Sequence, residues 1–306
     1  MKVAAVILNW NNFEDTKECI SSIKSLTIPA KTSLSIIVVD NASTDNSPNL
    51  VKTLSGVKAI NNAANRGYSG GNNVGIKFAL SEETDFVWIL NPDVKIDKNC
   101  LISLINYHTA NPHIHILSPK IYFYKGQEYH KERYTAKQLG KIIFYAGGTI
   151  DWDNILGKHI GLNEVDLGQY DQSKEINFAT GCSIFLKSEV FRKIGFFDER
   201  YFLYLEDLDF SYRAAKTGIK IAYVPKAILW HKNARSSKVG GDLHDYYITR
   251  NRMLFGLSHG SIKTKAALVK ESLRLVIRGR YWQKRGILDY YFNRLYQGSY
   301  VHQKSR

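Results

Sequence analysis

Through the first 120 positions, short unbroken apolar runs alternate with stretches of helical spacing. The runs are VAAVIL (3–8), LSIIVVD (34–40), VKAI (57–60), DFVWIL (85–90) and IHILSP (114–119). Segments apolar on both sides predict strands buried in a sheet that is covered on both faces. Between them Cys19, Ile20, Ile23 and Leu26 recur at helical spacing, residues 43–54 read as a turn and a short helix, and 69–80 and 96–107 read as helices. This alternation predicts an α/β fold with a mostly parallel central sheet.

The pattern changes after residue 120. Residues 125–141 are charged and unpatterned and read as a surface excursion, and 142–168 read as antiparallel strands and turns. Residues 206–217 predict a helix with Leu205, Leu208, Tyr212 and Ala215 on one face and Gly218 at its end. Residues 242–258 predict an amphipathic helix carrying Leu243, Tyr246, Tyr247, Leu254 and Leu257. The chain thus divides into a nucleotide-type half (1–120), a second half continuous with it (121–241) and a basic helical region (242–306).

Composition narrows the class. At 306 residues and 44% apolar content the chain can bury a full core. No apolar run is long enough to span a bilayer, and Asn9, Asn11 and Asn12 close the first one, so it reads as a buried strand rather than a signal peptide. Cys19, Cys100 and Cys182 are too scattered for a disulfide framework or a zinc site, which suits a reducing cytoplasm. The net charge of +14 is concentrated at the end, where residues 260–306 hold eleven Lys/Arg against Glu271 and Asp289. Basic residues interleaved with Leu, Val, Ile and Trp282 suit an anionic membrane surface, or else a solvated helix packed on the domain. No nucleic-acid motif accompanies the charge.

In open parallel sheets, ligands sit beyond the carboxyl ends of the strands. Four polar clusters fall there: Asn9–Asn12, 40–45, 65–73 and 91–93. One such cluster is ordinarily a cap or a turn; four in succession point to a ligand cleft. Asp40 can accept the imide N–H of a pyrimidine base. Gly67, Gly70 and Gly71 allow backbone to approach a ligand, and Arg66 can offset phosphate charge. Asn65 and Asn72 belong to the same cluster, and Asp93, beside Asn91, is a hard oxygen ligand suited to Mg²⁺ or Mn²⁺. Neither a dinucleotide nor a P-loop signature is present. A second concentration, Asp198, Glu206, Asp207 and Asp209, surrounds an aromatic run, where partial burial shifts carboxylate pKa values. Acids at a helix start also serve the dipole, and Asp198 reads as scaffold.

The ordered set VILNWNN, VVDNASTD, NRGYSGGNN, LNPDV, TGCSIFLKSEVFRKIGFFDERYFLYLEDLDFSYR and LWH resembles the family 2 inverting glycosyltransferases, and among them the rhamnosyltransferase-like branch. The resemblance implies a GT-A fold over residues 1–241, with a nucleotide-sugar half and an acceptor half. It implies a dTDP- or UDP-linked sugar donor, rhamnose foremost, a glycan or lipid-linked acceptor, and a divalent metal, Mg²⁺ or Mn²⁺. Carried over by position, Asp40 is the base-binding aspartate and Asp207 the catalytic base, with Glu206 and Asp209 on the acceptor side. Asn91-Pro92-Asp93 takes the place of the family's D-x-D metal motif, with asparagine for its first aspartate, and His231 is a second metal ligand. Arg250 and Arg252 are candidates for the diphosphate or for surface cover. Asn9, Asn11, Asn65, Arg66, Gly67, Gly71, Asn72, Asn91 and Asp93 join Asp40 as donor-side residues. A sugar-1-phosphate nucleotidyltransferase would need a glycine-rich basic loop where Asn9-Trp10-Asn11-Asn12 stands, and a binding module without activity would not need Glu206-Asp207 and His231.

Overall fold

The structure, a computed structural model, describes residues 1–232 and 240–300. Residues 233–239 of the span assigned to the catalytic domain, and 301–306 of the basic tail, lie outside the described residues. Strands β1 (Lys2–Asn9), β2 (Ser33–Asp40), β3 (Val57–Asn61) and β4 (Phe86–Leu90) are linked by α1 (Phe13–Lys24), α2 (Ser47–Lys52) and α3 (Gly67–Ser81). Then follow β5 (Val94–Ile96), α4 (Cys100–Ala110), β6 (Ile114–Phe123), β7 (Ile143–Tyr145), β8 (Gly148–Asp151), β9 (Leu156–His159) and β10 (Lys174–Ile176). The chain continues through β11 (Ser183–Lys187), α5 (Ser188–Ile194), α6 (Glu206–Lys216), β12 (Lys220–His231), α7 (Asp242–His259), α8 (Ile262–Arg278) and α9 (Tyr281–Tyr291).

The main sheet runs in the order β10-β12-β6-β11-β4-β1-β2-β3, with β5 paired to β12 and β7 to β6. β3, β2, β1 and β4 are mutually parallel, as are β6 and β12, and β11 lies antiparallel between the two blocks. The apolar runs explain the order. Every residue of β4 and all but the first of β1 are buried, so both belong in the middle. β3, whose residues are half-buried or exposed, is an edge.

One expectation is corrected. The helix read over 96–107 begins at Cys100, because Ile96 is drawn into β5 against Leu229 of β12. That pairing places His231 opposite Val94, beside Asp93. The turn and short helix read over 43–54 are present, with the helix over Ser47–Lys52 and the turn held by Asn11 Oδ1, which accepts from the N–H groups of Thr44 and Asp45. A second core forms where α7, α8 and α9 meet the catalytic side. Met253, Leu254, Phe255, Leu268 and Ile287 pack there with Tyr201, Leu205 and Leu208.

Candidate active site

Asp93 and His231 come from different segments and meet side by side. The Asp93 carboxylate lies 3.2 Å from His231 Nε2, and both residues are buried. The Lys232 N–H donates to the Asp93 carbonyl at 2.9 Å, so the junction of the two segments is held by backbone. His231 Nδ1 is buried without a partner among the described residues. A hard oxygen beside an imidazole with a spare nitrogen fits a divalent cation. No group of three or more His, Cys, Asp or Glu able to hold a metal occurs among the described residues. The remaining positions around a cation would therefore fall to substrate oxygens and water.

Asp207 stands in the first turn of α6 and is half-buried. Its carboxylate accepts from the Gly181 N–H at 2.7 Å and the Leu208 N–H at 2.8 Å. Burial raises its pKa to about 6, although both backbone donors oppose that rise. Glu206 beside it is driven well above the usual carboxylate range, first by burial and then by the Asp207 charge. One Glu206 carboxyl oxygen is buried with no partner among the described residues. Two adjacent acids thus differ in readiness: Asp207 ionises near neutrality and Glu206 resists it.

The backbone at 181–182 ties Asp207 to the Asn91–Asp93 segment. Gly181 N–H holds Asp207, while the next carbonyl, that of Cys182, accepts from the Asn91 N–H at 3.0 Å. The Tyr68 hydroxyl donates to the Gly181 carbonyl at 2.5 Å. A Cβ on Gly181 would stand 2.8 Å from that hydroxyl, so this crossing is built for glycine. Neither Gly181 nor Tyr68 is singled out for a role by sequence. Their only sequence signal is a glycine and an aromatic inside motifs that are otherwise polar.

The loop that delivers Asp207 is strained. Phe202, Tyr204 and Leu205 all have φ between 63° and 69°, a region that costs a non-glycine residue roughly 1 kcal/mol or more. α7 holds it in place. Asn251 Nδ2 donates to the carbonyls of Tyr201, Leu203 and Tyr204 at 2.8–2.9 Å. Arg250 donates to the carbonyls of Arg200, Tyr201 and Tyr296 and to Asn251 Oδ1, stacked over Tyr246 and Tyr247.

Arg250 and Arg252, candidates for the diphosphate or for surface cover, are both engaged by the protein itself. Arg250 is 0% exposed, with its donors spent on the loop. Arg252 pairs with Glu271 at 2.9 Å and donates to the Asn154 carbonyl. Asp209, read as an acceptor-side residue, is likewise engaged within the protein. It takes Arg213 at 2.7 Å and His259 at 2.8 Å, and these outweigh its burial to hold its carboxyl below the usual range. Arg213 passes the connection on to the carbonyls of Ile194 and Phe196.

A cleft of about 330 Å³ opens at the ends of β1 and β2, lined by Trp10, Asn41, Thr44, Asn65, Gly67, Tyr68, Phe202, Tyr247 and Tyr300 among others. Asp40 lies behind it, 1% exposed. Its carboxylate accepts from the Asn9 amide and the Ser43 hydroxyl, both at 2.7 Å, and from the Ser43 N–H at 2.8 Å. Asn9 is fully buried and acts through Asp40; Asn11 ties the first two loops together. Asn65 caps its own turn by accepting from the Gly67 N–H, and Arg66 is drawn outward to Glu199 at 3.0 Å. Asn72 is buried and donates to the Tyr68 carbonyl. Gly67 and Gly71 are also required by packing. A Cβ on Gly67 would lie 2.3 Å from the Phe202 carbonyl oxygen, and one on Gly71 would lie 2.4 Å from Leu8. The aromatic lining is the part that sequence reading passes over; Trp10 and Tyr68 were visible within the polar clusters, whereas Phe202, Tyr247 and Tyr300 arrive only through folding.

Comparison with known proteins bears on this arrangement. The glycosyl transferase family 2 model matches residues 4–195. The low-salt glycan biosynthesis hexosyltransferase Agl10 of Haloferax volcanii is 29% identical over 222 residues, 72% of this chain and 63% of that protein. The N-acetylglucosaminyl-diphospho-decaprenol L-rhamnosyltransferase of Mycobacterium tuberculosis is 28% identical over 230 residues, 70% of this chain and 72% of its own. Among solved structures, GalNAc-T7 with UDP, GalNAc and Mn2+ shares the fold with a TM-score of 0.60 at 17% identity, over 88% of this chain and 54% of that one. S. aureus TarS 1–349 gives a TM-score of 0.56 at 16% identity, over 95% of this chain and 79% of that one. The chain therefore spans less than two thirds of the first relative's length. The sheet order, the paired segments at Asp93 and His231, and a family match across more than half its length together place the chain in glycosyltransferase family 2, with a GT-A fold.

Proposed function

We propose that the protein transfers a sugar from a nucleoside diphosphate to an acceptor hydroxyl with inversion. The observation that carries this reading is the Gly181–Cys182 backbone, which couples Asp207 to the Asn91–Asp93 segment. The aromatic cleft in front of Asp40 suits a stacked pyrimidine, so the donor is dTDP- or UDP-linked, with rhamnose favoured by the mycobacterial relative's name. The same name favours a lipid-linked glycan acceptor, and with it a peripheral position on the cytoplasmic membrane face. Among the described residues no helix is long and apolar enough to cross a membrane.

Asp207 takes the proton of the acceptor hydroxyl as that oxygen attacks the anomeric carbon from the face opposite the leaving diphosphate. A base that ionises near 6 is charged at neutral pH and still basic enough to accept a proton in the transition state. Asp93 and His231 would hold Mg²⁺ or Mn²⁺, which supplies positive charge against the diphosphate. Glu206, reluctant to ionise, keeps a second negative charge out of the site.

The test is a thermal-shift screen of dTDP-rhamnose and UDP-hexoses with and without Mg²⁺ or Mn²⁺, followed by transfer assays on the donor that binds. Metal-dependent stabilisation is expected in the wild type and lost in Asp93→Asn. Full transfer in the presence of a chelator, or full transfer by Asp93→Asn, would overturn the metal assignment.

A further inference from the structure

We infer that α8 seats the protein on an anionic bilayer surface through a face that the fold leaves open. The helix has three distinct stripes. Leu268 and Ser272 are buried against the rest of the molecule, with Leu275 partly so. On another side Ile262, Val269, Leu273 and Ile277 stand 88%, 41%, 61% and 74% exposed. Their spacing of seven, four and four residues puts them in one line about 22 Å long at the helical rise. Each is followed directly by a cation: Lys263, Lys270, Arg274 and Arg278. The third stripe is therefore basic and runs beside the exposed apolar line, as an amphipathic interfacial helix requires.

This apolar line is not the ordinary scatter of surface hydrophobics. Eight of the thirteen exposed large hydrophobic residues among those described lie between Ile262 and Tyr296. Tyr281, 66% exposed at the start of α9, suits the headgroup boundary, where its ring and hydroxyl meet different environments. Glu271, the one acid on α8, is turned away into Arg252. None of Lys263, Lys270, Arg274 and Arg278 has a carboxylate within ion-pair distance among the described residues.

Charge decides the occupant. A second copy docked antiparallel about a two-fold axis on this face would set the four cations against their own images with no acid to compensate. An anionic lipid surface supplies negative charge along the basic stripe and apolar depth for the other. This inference stands independently of the donor, metal and base assignments.

The test is co-sedimentation of the full chain with phosphatidylcholine vesicles, with and without phosphatidylglycerol, at low and high salt. The wild type is expected to bind only the anionic vesicles and to release them at high salt. The triple variant Lys270→Gln/Arg274→Gln/Arg278→Gln should bind roughly a hundredfold more weakly. The double variant Leu273→Gln/Ile277→Gln should lose about tenfold or more, with an unchanged melting temperature, since both residues are exposed. Equal binding to neutral vesicles, no binding by the wild type, or undiminished binding by both variants would overturn the inference. So would a dimer in sedimentation that the double variant turns into monomer, because the face would then be a contact between copies.

Discussion

Asp207→Asn separates the chemistry of the base from its effect on stability. The folded state raises this carboxyl from 3.8 to about 6 through burial. A raised carboxyl pKa favours the protonated form of the folded protein. That contribution is complete below about 4 and is lost as pH climbs through about 6. Two pKa units correspond to about 3 kcal/mol, and partial exposure of Asp207 reduces this to about 1–2 kcal/mol. The asparagine removes that pH-dependent cost. It also surrenders one of two backbone hydrogen bonds, because an amide nitrogen cannot accept from Gly181 or Leu208, at about 1 kcal/mol independent of pH. Urea unfolding of both proteins at pH 5 and pH 8 cancels the constant loss. At pH 5 the unfolded carboxyl is already ionised, so about half of this contribution remains to be lost, and from pH 5 to pH 8 the variant should gain about 0.5–1 kcal/mol on the wild type. Glu206, relieved of a charged neighbour, adds in the same direction. Transfer by the variant should fall about 10²–10⁴-fold, and wild-type kcat/KM should drop about tenfold for each pH unit below 6. An equal stability gap at both pH values would refute the burial argument, and a normal transfer rate in the variant would refute the role of base.

The clamp on α7 makes its own prediction: Asn251→Ala removes the amide donor from the Leu203 and Tyr204 carbonyls, while Arg250 still serves that of Tyr201, and should cost about 2–3 kcal/mol in urea unfolding. Its kcat should fall while donor binding in the thermal-shift assay persists; an unchanged kcat would mean that the strained loop holds Asp207 unaided. Arg252→Ala should lower stability by about 1 kcal/mol through loss of Glu271, with the donor KM unchanged, and a raised donor KM would restore Arg252 to the diphosphate.

Some features could be read locally. The continuous apolar runs of β1, β2 and β4 require burial on both faces, and this alone implies a covered parallel sheet. Acids at the start of α6, glycine at its end and polar clusters beyond four strands are visible for the same reason: each depends on neighbours in the chain. The exposed stripe of α8 is likewise written into its spacing, although the spacing does not say which of its two apolar lines is packed.

What folding decided is where side chains spend their hydrogen bonds. Arg250 and Asp209 have the composition of site residues, yet neighbours distant in sequence absorb their polar atoms. The glycines of α3 meet Leu8 and the Phe202 carbonyl, partners that no local pattern shows. β5 exists because β12 lies beside it, and that pairing brings His231 to Asp93. The sequence by itself determined the sheet and the supply of carboxylates at strand and helix ends, because burial periodicity and capping act over a few residues. Only the tertiary structure decided that the Asp207 carboxyl is raised to about 6, as its proposed role of base requires, while Asp209 becomes a brace, because burial and long-range hydrogen bonds set each carboxyl's pKa.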